Sequence, residues 1–328
     1  MKSLYDDNVA KEFTTDLEFR VYTSRLLGGD SSLVLHGGGN TSVKSVVDGE
    51  DILYVKGSGW DLATIEAEGF APVKLDILKE MATRAKLSDS DMVSEQKEAM
   101  IDKSAPNPSV EAILHAIIPF KYVDHTHSDA VVTISNSENG LEYINEVYPN
   151  YLVIPYVMPG FILAQKIYHE LQDIDWDKCE GIILHNHGIF TFDNDPKISY
   201  EKMIKGVTQA EEFLDKNAEL VIEKYIPKAE LNIDILQKII SKEKGYDVFI
   251  KVNQSPLALH YASNRDMKNI ATRGVLTPEH IIRTKRNPMI LEDEDIQKSI
   301  DLFEEEYVEY YNQFTSNEIM LNPTPNWA

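Results

Sequence analysis

Apolar and polar positions alternate along this chain in two rhythms. Between residues 15 and 27, Leu17, Val21, Leu26 and Leu27 recur at helical spacing. The same period predicts helices over Val73–Ala85, Ala112–Ile118 (stopped by Pro119), a stretch opening at Ser128-Asp129, Phe161–Leu171, and Ser199 to about Tyr225. Short apolar runs of the strand type occupy Ile52–Val55, Tyr122–His125, Gly181–Leu184 and Ile189–Phe192. Strands alternating with helices predict a layered α/β domain up to residue 228. Beyond it the texture changes to charged helical segments around a turn-rich block, Thr272 to His280, then an acidic helix over Glu292–Asn312 and a tail, NPTPNWA. The expected organisation is a domain over residues 1–228 and a mainly helical extension over 229–328.

Composition narrows this little. With 328 residues, 43% hydrophobic and 26% charged, the chain reads as globular. Its formal charge of -22 argues against nucleic acid or an anionic membrane as the main partner. The single cysteine, Cys179, allows no intramolecular disulfide and no CxxC metal motif, so a metal would need His, Asp or Glu. The N-terminus lacks the apolar core of a signal peptide, and no run of about 18 apolar residues occurs. A cytoplasmic protein is the expectation.

Candidate chemistry begins at His125-Thr126-His127. Alternate strand residues share a face, so the two imidazoles converge while Thr126 turns away. Imidazole suits zinc, and Asp124 and Asp129 are candidates for orienting the ligands. A catalytic zinc takes three protein ligands, so a third must come from elsewhere. His187, before Gly188, leads; His185 is the rival. Both pairs also read as ordinary strand-end histidines. Two glycine-rich stretches, Gly37 to Ser42 and Lys56-Gly57-Ser58-Gly59, read either as anion nests suited to phosphate or as tight turns. Neither is a P-loop or a dinucleotide fingerprint. Ser109 is placed to cap a helix with Glu111 in its first turn; alternatively, Glu111 serves as an acid and base beside a metal. Thr277-Pro278-Glu279-His280 reads as a helix start.

Taken together, GGGNTS, KGSG, PSVE, DHTHSDA and HNHGIFTF, in that order, resemble the class II aldolase/adducin family over about residues 12–228. RGVLTPEHIIRTKR resembles a segment of the longer rhamnulose-1-phosphate aldolase branch, whose members often continue into a dehydrogenase domain. This chain carries no dinucleotide fingerprint, so the resemblance implies the aldolase half. It implies a three-layer α/β/α core with a mainly helical C-terminal extension, and His125, His127 and His187 as zinc ligands. Glu111 would be the catalytic acid/base, and Asn40, Ser58, Gly59 and Ser109 would hold a substrate phosphate. Val110 stands where the short sugar-phosphate aldolases commonly carry a second serine. His185 has no required role.

The implied reaction is reversible cleavage of a ketose 1-phosphate, foremost L-rhamnulose 1-phosphate, to dihydroxyacetone phosphate and L-lactaldehyde through a zinc-stabilised enediolate. A second proton carrier is required, with His280 first and Arg283 or Tyr261 behind it. The same scaffold is implied to support sugar-phosphate epimerisation and methylthioribulose-phosphate dehydration, and adducin-like members keep the fold as an interaction module. The resemblance further implies a homo-oligomer, a tetramer, acting on a small phosphorylated sugar.

Overall fold

The computed structural model describes residues 1–218, 231–291 and 295–328. The chain divides into two compact units, Met1–Ala218 and Glu219–Ala328. The expected boundary at residue 228, and the expected helix beyond Ala218 to Tyr225, lie outside the described residues.

In the first unit, seven strands form one sheet: β1 (Asn40–Val47), β2 (Glu50–Lys56), β3 (Phe70–Lys74), β4 (Tyr122–Thr126), β5 (Tyr151–Ile154), β6 (Gly181–Leu184) and β7 (Gly188–Asp193). Their spatial order is β3-β2-β1-β4-β7-β6-β5, and all neighbours are antiparallel except β5 and β6. Nine helices of this unit are α1 (Asp7–Ala10), α2 (Asp16–Gly28), α3 (Leu75–Ala82), α4 (Asp89–Glu98), α5 (Ala112–Ile117), α6 (Asp129–Ser135), α7 (Gly140–Val147), α8 (Phe161–Glu170) and α9 (Pro196–Asn217).

Strand alternation sorts the helices into two layers. Ile182 and Leu184 of β6, with Phe190 and Phe192 of β7, pack with α3, α4, α5 and α8. Ile183 and Ile189, one residue out of phase, pack with α2, α6, α7 and α9. The three-layer α/β/α core is therefore present, with central β4 buried along its whole length.

Local signals account for the helix ends. Thr15 and Glu18 form a reciprocal capping box on α2. Asp195 caps α9 ahead of Pro196. Elsewhere the structure corrects the pattern. Val73 and Lys74, expected to open a helix, end edge strand β3, and α3 runs only from Leu75 to Ala82. The glycine-rich turn closes at Gly39, and Asn40 to Ser42 already belong to β1. β1 carries polar residues and so did not show as an apolar run, whereas β5 is apolar throughout but was not among the expected strands.

The second unit is helical: α10 (Ile233–Lys244), α11 (Pro256–Ser263), α12 (Met267–Ala271), α13 (Pro278–Thr284) and α14 (Ile296–Phe314). Its core gathers Leu236, Ile240, Met289, Ile296, Ile300 and Phe303. The expected acidic helix thus starts at Ile296, and Glu292 to Glu294 lie outside the described residues. The expected tail is pinned down, because Lys285 Nζ donates to Asn322 O (2.7 Å) and Thr324 O (2.6 Å). No helix among the described residues is long and apolar enough to cross a membrane.

Candidate functional site

Two chain turns deliver three imidazoles to one point. His125 lies on β4 and His127 just past its end; His187 sits in the turn between β6 and β7. All three are buried. His127 Nε2 stands 3.0 Å from His125 Nε2 and 3.1 Å from His187 Nε2. The turn requires its special residues. Asn186 takes φ +60°, and a Cβ on Gly188 would lie 2.4 Å from the Thr126 carbonyl oxygen and 2.9 Å from His125 Cε1. Phe190 stacks on the His125 ring at 4.0 Å between centroids.

Glu111 completes the group. It is buried at the N-cap of α5, with Oε2 3.6 Å from His125 Nε2 and Oε1 3.6 Å from His187 Nε2. Oε2 accepts from Asn40 Nδ2 at 2.6 Å, while Oε1 has no hydrogen-bond partner among the described residues. The expected Ser109 cap is not there, because the helix starts two residues later. Ser109 Oγ instead accepts the Glu111 N–H (3.3 Å) and the Asn40 amide (3.2 Å).

The donor set fits a divalent cation. His125 Nδ1 lies 3.1 Å from the Ile189 carbonyl oxygen, which only accepts, so the proton sits on Nδ1 and Nε2 is bare. Ligand nitrogens on a tetrahedral cation with bonds of about 2.0–2.1 Å stand about 3.3 Å apart, close to the spacing seen. Among the described residues these three histidines form a group whose ligand atoms all lie within 4.8 Å of one another. Three protein ligands leave a coordination position open, and an orphaned buried carboxylate oxygen faces the same point.

Asp124 does not orient the histidines as expected. β4 alternates, so Asp124 points to the opposite face, where Arg20 NH2 donates to it at 2.5 Å and Ser199 Oγ at 2.5 Å. Arg20 and Asp124 are both fully buried and form a structural ion pair behind the site. Asp129 is exposed in the first turn of α6. His185 is half-buried, and its Nε2 has no hydrogen-bond partner among the described residues.

The residues expected at a phosphate are brought near one another by pairing between the end of β2 and the segment before α5. Gly57 bridges Pro108, and Ser109 N–H donates to Lys56 O. Yet the bare N–H cradle read from the glycines is largely used internally. Gly57 N–H donates to Gly69 O, Ser58 N–H to Asn107 O, and Gly38 N–H to Leu35 O. Lys56, read as a cation for an anion, is buried and donates to the Gly37 carbonyl at 2.7 Å. What remains is Ser58 and Gly59, both exposed, with Gly59 at φ +85°, beside Ser109 and Asn40.

One site residue escaped the sequence reading. His115 of α5 is fully buried, and its Nε2 bonds Asn40 Oδ1 while its Nδ1 lies 2.8 Å from Ser42 Oγ. Burial pushes its pKa well below the ordinary histidine value. The available signal was its place four residues after Glu111, one turn along the same face. His280 lies in the second unit, half-buried on α13, with Nδ1 2.8 Å from Thr277 Oγ1. Tyr261 and Arg283 are also in that unit, on α11 and α13.

The profile of the Class II Aldolase and Adducin N-terminal domain matches residues 20–214, and that of the aldolase class II second domain matches residues 227–328. YuxG of Bacillus subtilis (strain 168), called an uncharacterized oxidoreductase, is 31% identical over 344 residues. That alignment covers 97% of this chain and 49% of YuxG, so the chain spans about half the length of this curated relative. The N-terminal class II aldolase domain of a conserved protein from Thermoplasma acidophilum matches with TM-score 0.60 and 37% identity, covering 65% of this chain and 99% of that one.

Proposed function

The chain belongs to the class II aldolase and adducin family, and from that premise we propose that it is a metal-dependent aldolase cleaving a ketose 1-phosphate. L-rhamnulose 1-phosphate is the substrate we put first, with dihydroxyacetone phosphate and L-lactaldehyde as products. The observation that carries the reading is the Glu111 carboxylate held between His125 and His187 with one oxygen unpartnered.

His125, His127 and His187 would hold the metal, zinc in our proposal, through their Nε2 atoms. When bound, it supplies Lewis acidity toward a carbonyl and the neighbouring hydroxyl oxygen of the substrate. Asn40 keeps Glu111 Oε2 occupied, which leaves Oε1 to carry the proton. In the cleavage direction the bond between the third and fourth carbons breaks, and its electrons stay with the phosphate-bearing fragment. Glu111 Oε1 delivers a proton to that carbon, and in synthesis removes it. The hydroxyl proton on the departing aldehyde carbon is assigned to His280. Asn40, Ser58, Gly59 and Ser109 are assigned to the phosphate, Asn40 by exchanging its hydrogen bond to Ser109 Oγ for one to the phosphate, and that grip far from the breaking bond orients the reacting carbons. Residues 1–228 are proposed as the domain that carries the metal ligands and Glu111, and 229–328 as the helical extension that carries His280.

The test is a retro-aldol assay on L-rhamnulose 1-phosphate, following dihydroxyacetone phosphate by coupled reduction. Release with zinc, lost on chelation and regained on adding zinc back, is expected. No release from metal-loaded protein would remove this substrate.

A further inference from the structure

Glu111 is held by a neighbour's amide, not by its own helix. α5 starts without a side-chain cap, and the Glu111 carboxylate accepts a hydrogen bond from Asn40 Nδ2. That amide has two possible orientations, and the wrong one would set its oxygen against the Glu111 carboxylate, acceptor to acceptor. With Asn40 Nδ2 aimed at Glu111 Oε2 and Ser109 Oγ, its Oδ1 faces His115 Nε2. A carbonyl oxygen only accepts, so His115 Nε2 carries the hydrogen. His115 Nδ1 is then bare and accepts from the buried Ser42 hydroxyl. The neutral imidazole offers one donor and one acceptor, so the line Ser42 to His115 to Asn40 to Glu111 has a single direction. β1 makes this possible, because Asn40 and Ser42 are two apart and face α5 together, while Thr41 turns to Ser24 Oγ on the opposite layer.

We infer that His115 is a positioning residue: its Nε2–H fixes the Asn40 amide, which holds the Glu111 carboxylate with Oε1 directed at the substrate. The inference rests on the reading of Glu111 as proton carrier. It differs from a merely packed core histidine, because its effect must pass through Asn40.

The first measurement is histidine ¹⁵N NMR on the full, metal-free chain at pH 8. A neutral His115 with its proton on Nε2 is expected; a proton on Nδ1, or an imidazolium, overturns the inference, and this readout needs no substrate. The second is a kinetic cycle. His115→Leu removes a buried hydrogen bond two steps from the charge, and kcat should fall about 10- to 100-fold. In an Asn40→Ala background the same change should cost less than about twofold more. His115→Gln, whose amide N–H reaches toward the Asn40 oxygen, should restore most of the loss. Equal losses in both backgrounds, or no rescue by glutamine, overturn the inference. Full turnover in Glu111→Gln would instead sink the proton-carrier reading itself.

Discussion

Asp124→Asn separates the two roles that its position next to His125 offers. Arg20 and Asp124 are fully buried, with Arg20 NH2 2.5 Å from Asp124 Oδ1. Arg20 spends its other donors on Ser24 Oγ, Thr23 Oγ1 and the carbonyls of Ser42 and Val123, so it is locked in place. Neutralising one partner leaves the other charge buried and uncompensated, which costs about 3–5 kcal/mol. Against a domain stability on the order of 5–15 kcal/mol this is a large share. At roughly 2–4 °C per kcal/mol for a unit of this size, Tm should fall by about 6–20 °C. Zinc affinity should change by less than about tenfold, because the carboxylate faces away from the imidazoles; a carboxylate orienting a ligand costs about 10–100-fold when removed. Urea denaturation and chelator competition measure the two quantities. The pair Arg20→Met with Asp124→Leu removes both charges and should regain much of the lost stability, which keeps the test open if the single variant folds poorly. The reasoning fails if Asp124→Asn leaves stability within about 1 kcal/mol while zinc binding weakens more than tenfold.

Three further outcomes are expected. His127→Ala removes the imidazole that stands between the other two, so stoichiometric zinc and turnover should vanish together in metal analysis and assay. Glu111→Gln should retain the metal and lose about 10²–10⁴-fold in kcat, the range of general acid–base catalysis; retained turnover would clear Glu111 of that role. Lys44 is half-buried with its ammonium turned inward, donates to the carbonyls of His115, Ile118 and Phe120, and is pushed down by desolvation to about 7 from 10.5. The unfolded chain therefore binds more protons than the folded one between those values, and this residue's contribution to stability rises with pH across that window. Lys44→Met should flatten that rise in pH-dependent unfolding; an unchanged slope would reject it.

Much of the site was legible because its signals are local. Two histidines two apart on a strand share a face whatever surrounds them, so the convergence of His125 and His127 followed from the pleat. His187 was marked by the glycine after it, and Gly188 does sit where a Cβ would strike backbone. The alternation of apolar runs also foretold a layered sheet. By contrast, the backbone donors of the glycine turns looked free in sequence and are paired in three dimensions.

Periodicity, the family's motifs and the residue types able to bind a metal are all read directly along the chain. Which of them meet is set by packing. It chose His187 over His185 as the third imidazole, because residue 187 turns inward between two antiparallel strands. It moved Asp124 to the far face, since one residue along a strand reverses every side chain. It joined His115 to Asn40, 75 residues away, across a strand-to-helix contact that no local pattern encodes. Short-range rules come from backbone geometry and survive in any fold, whereas partners distant in sequence exist only once packing has closed the loops between them.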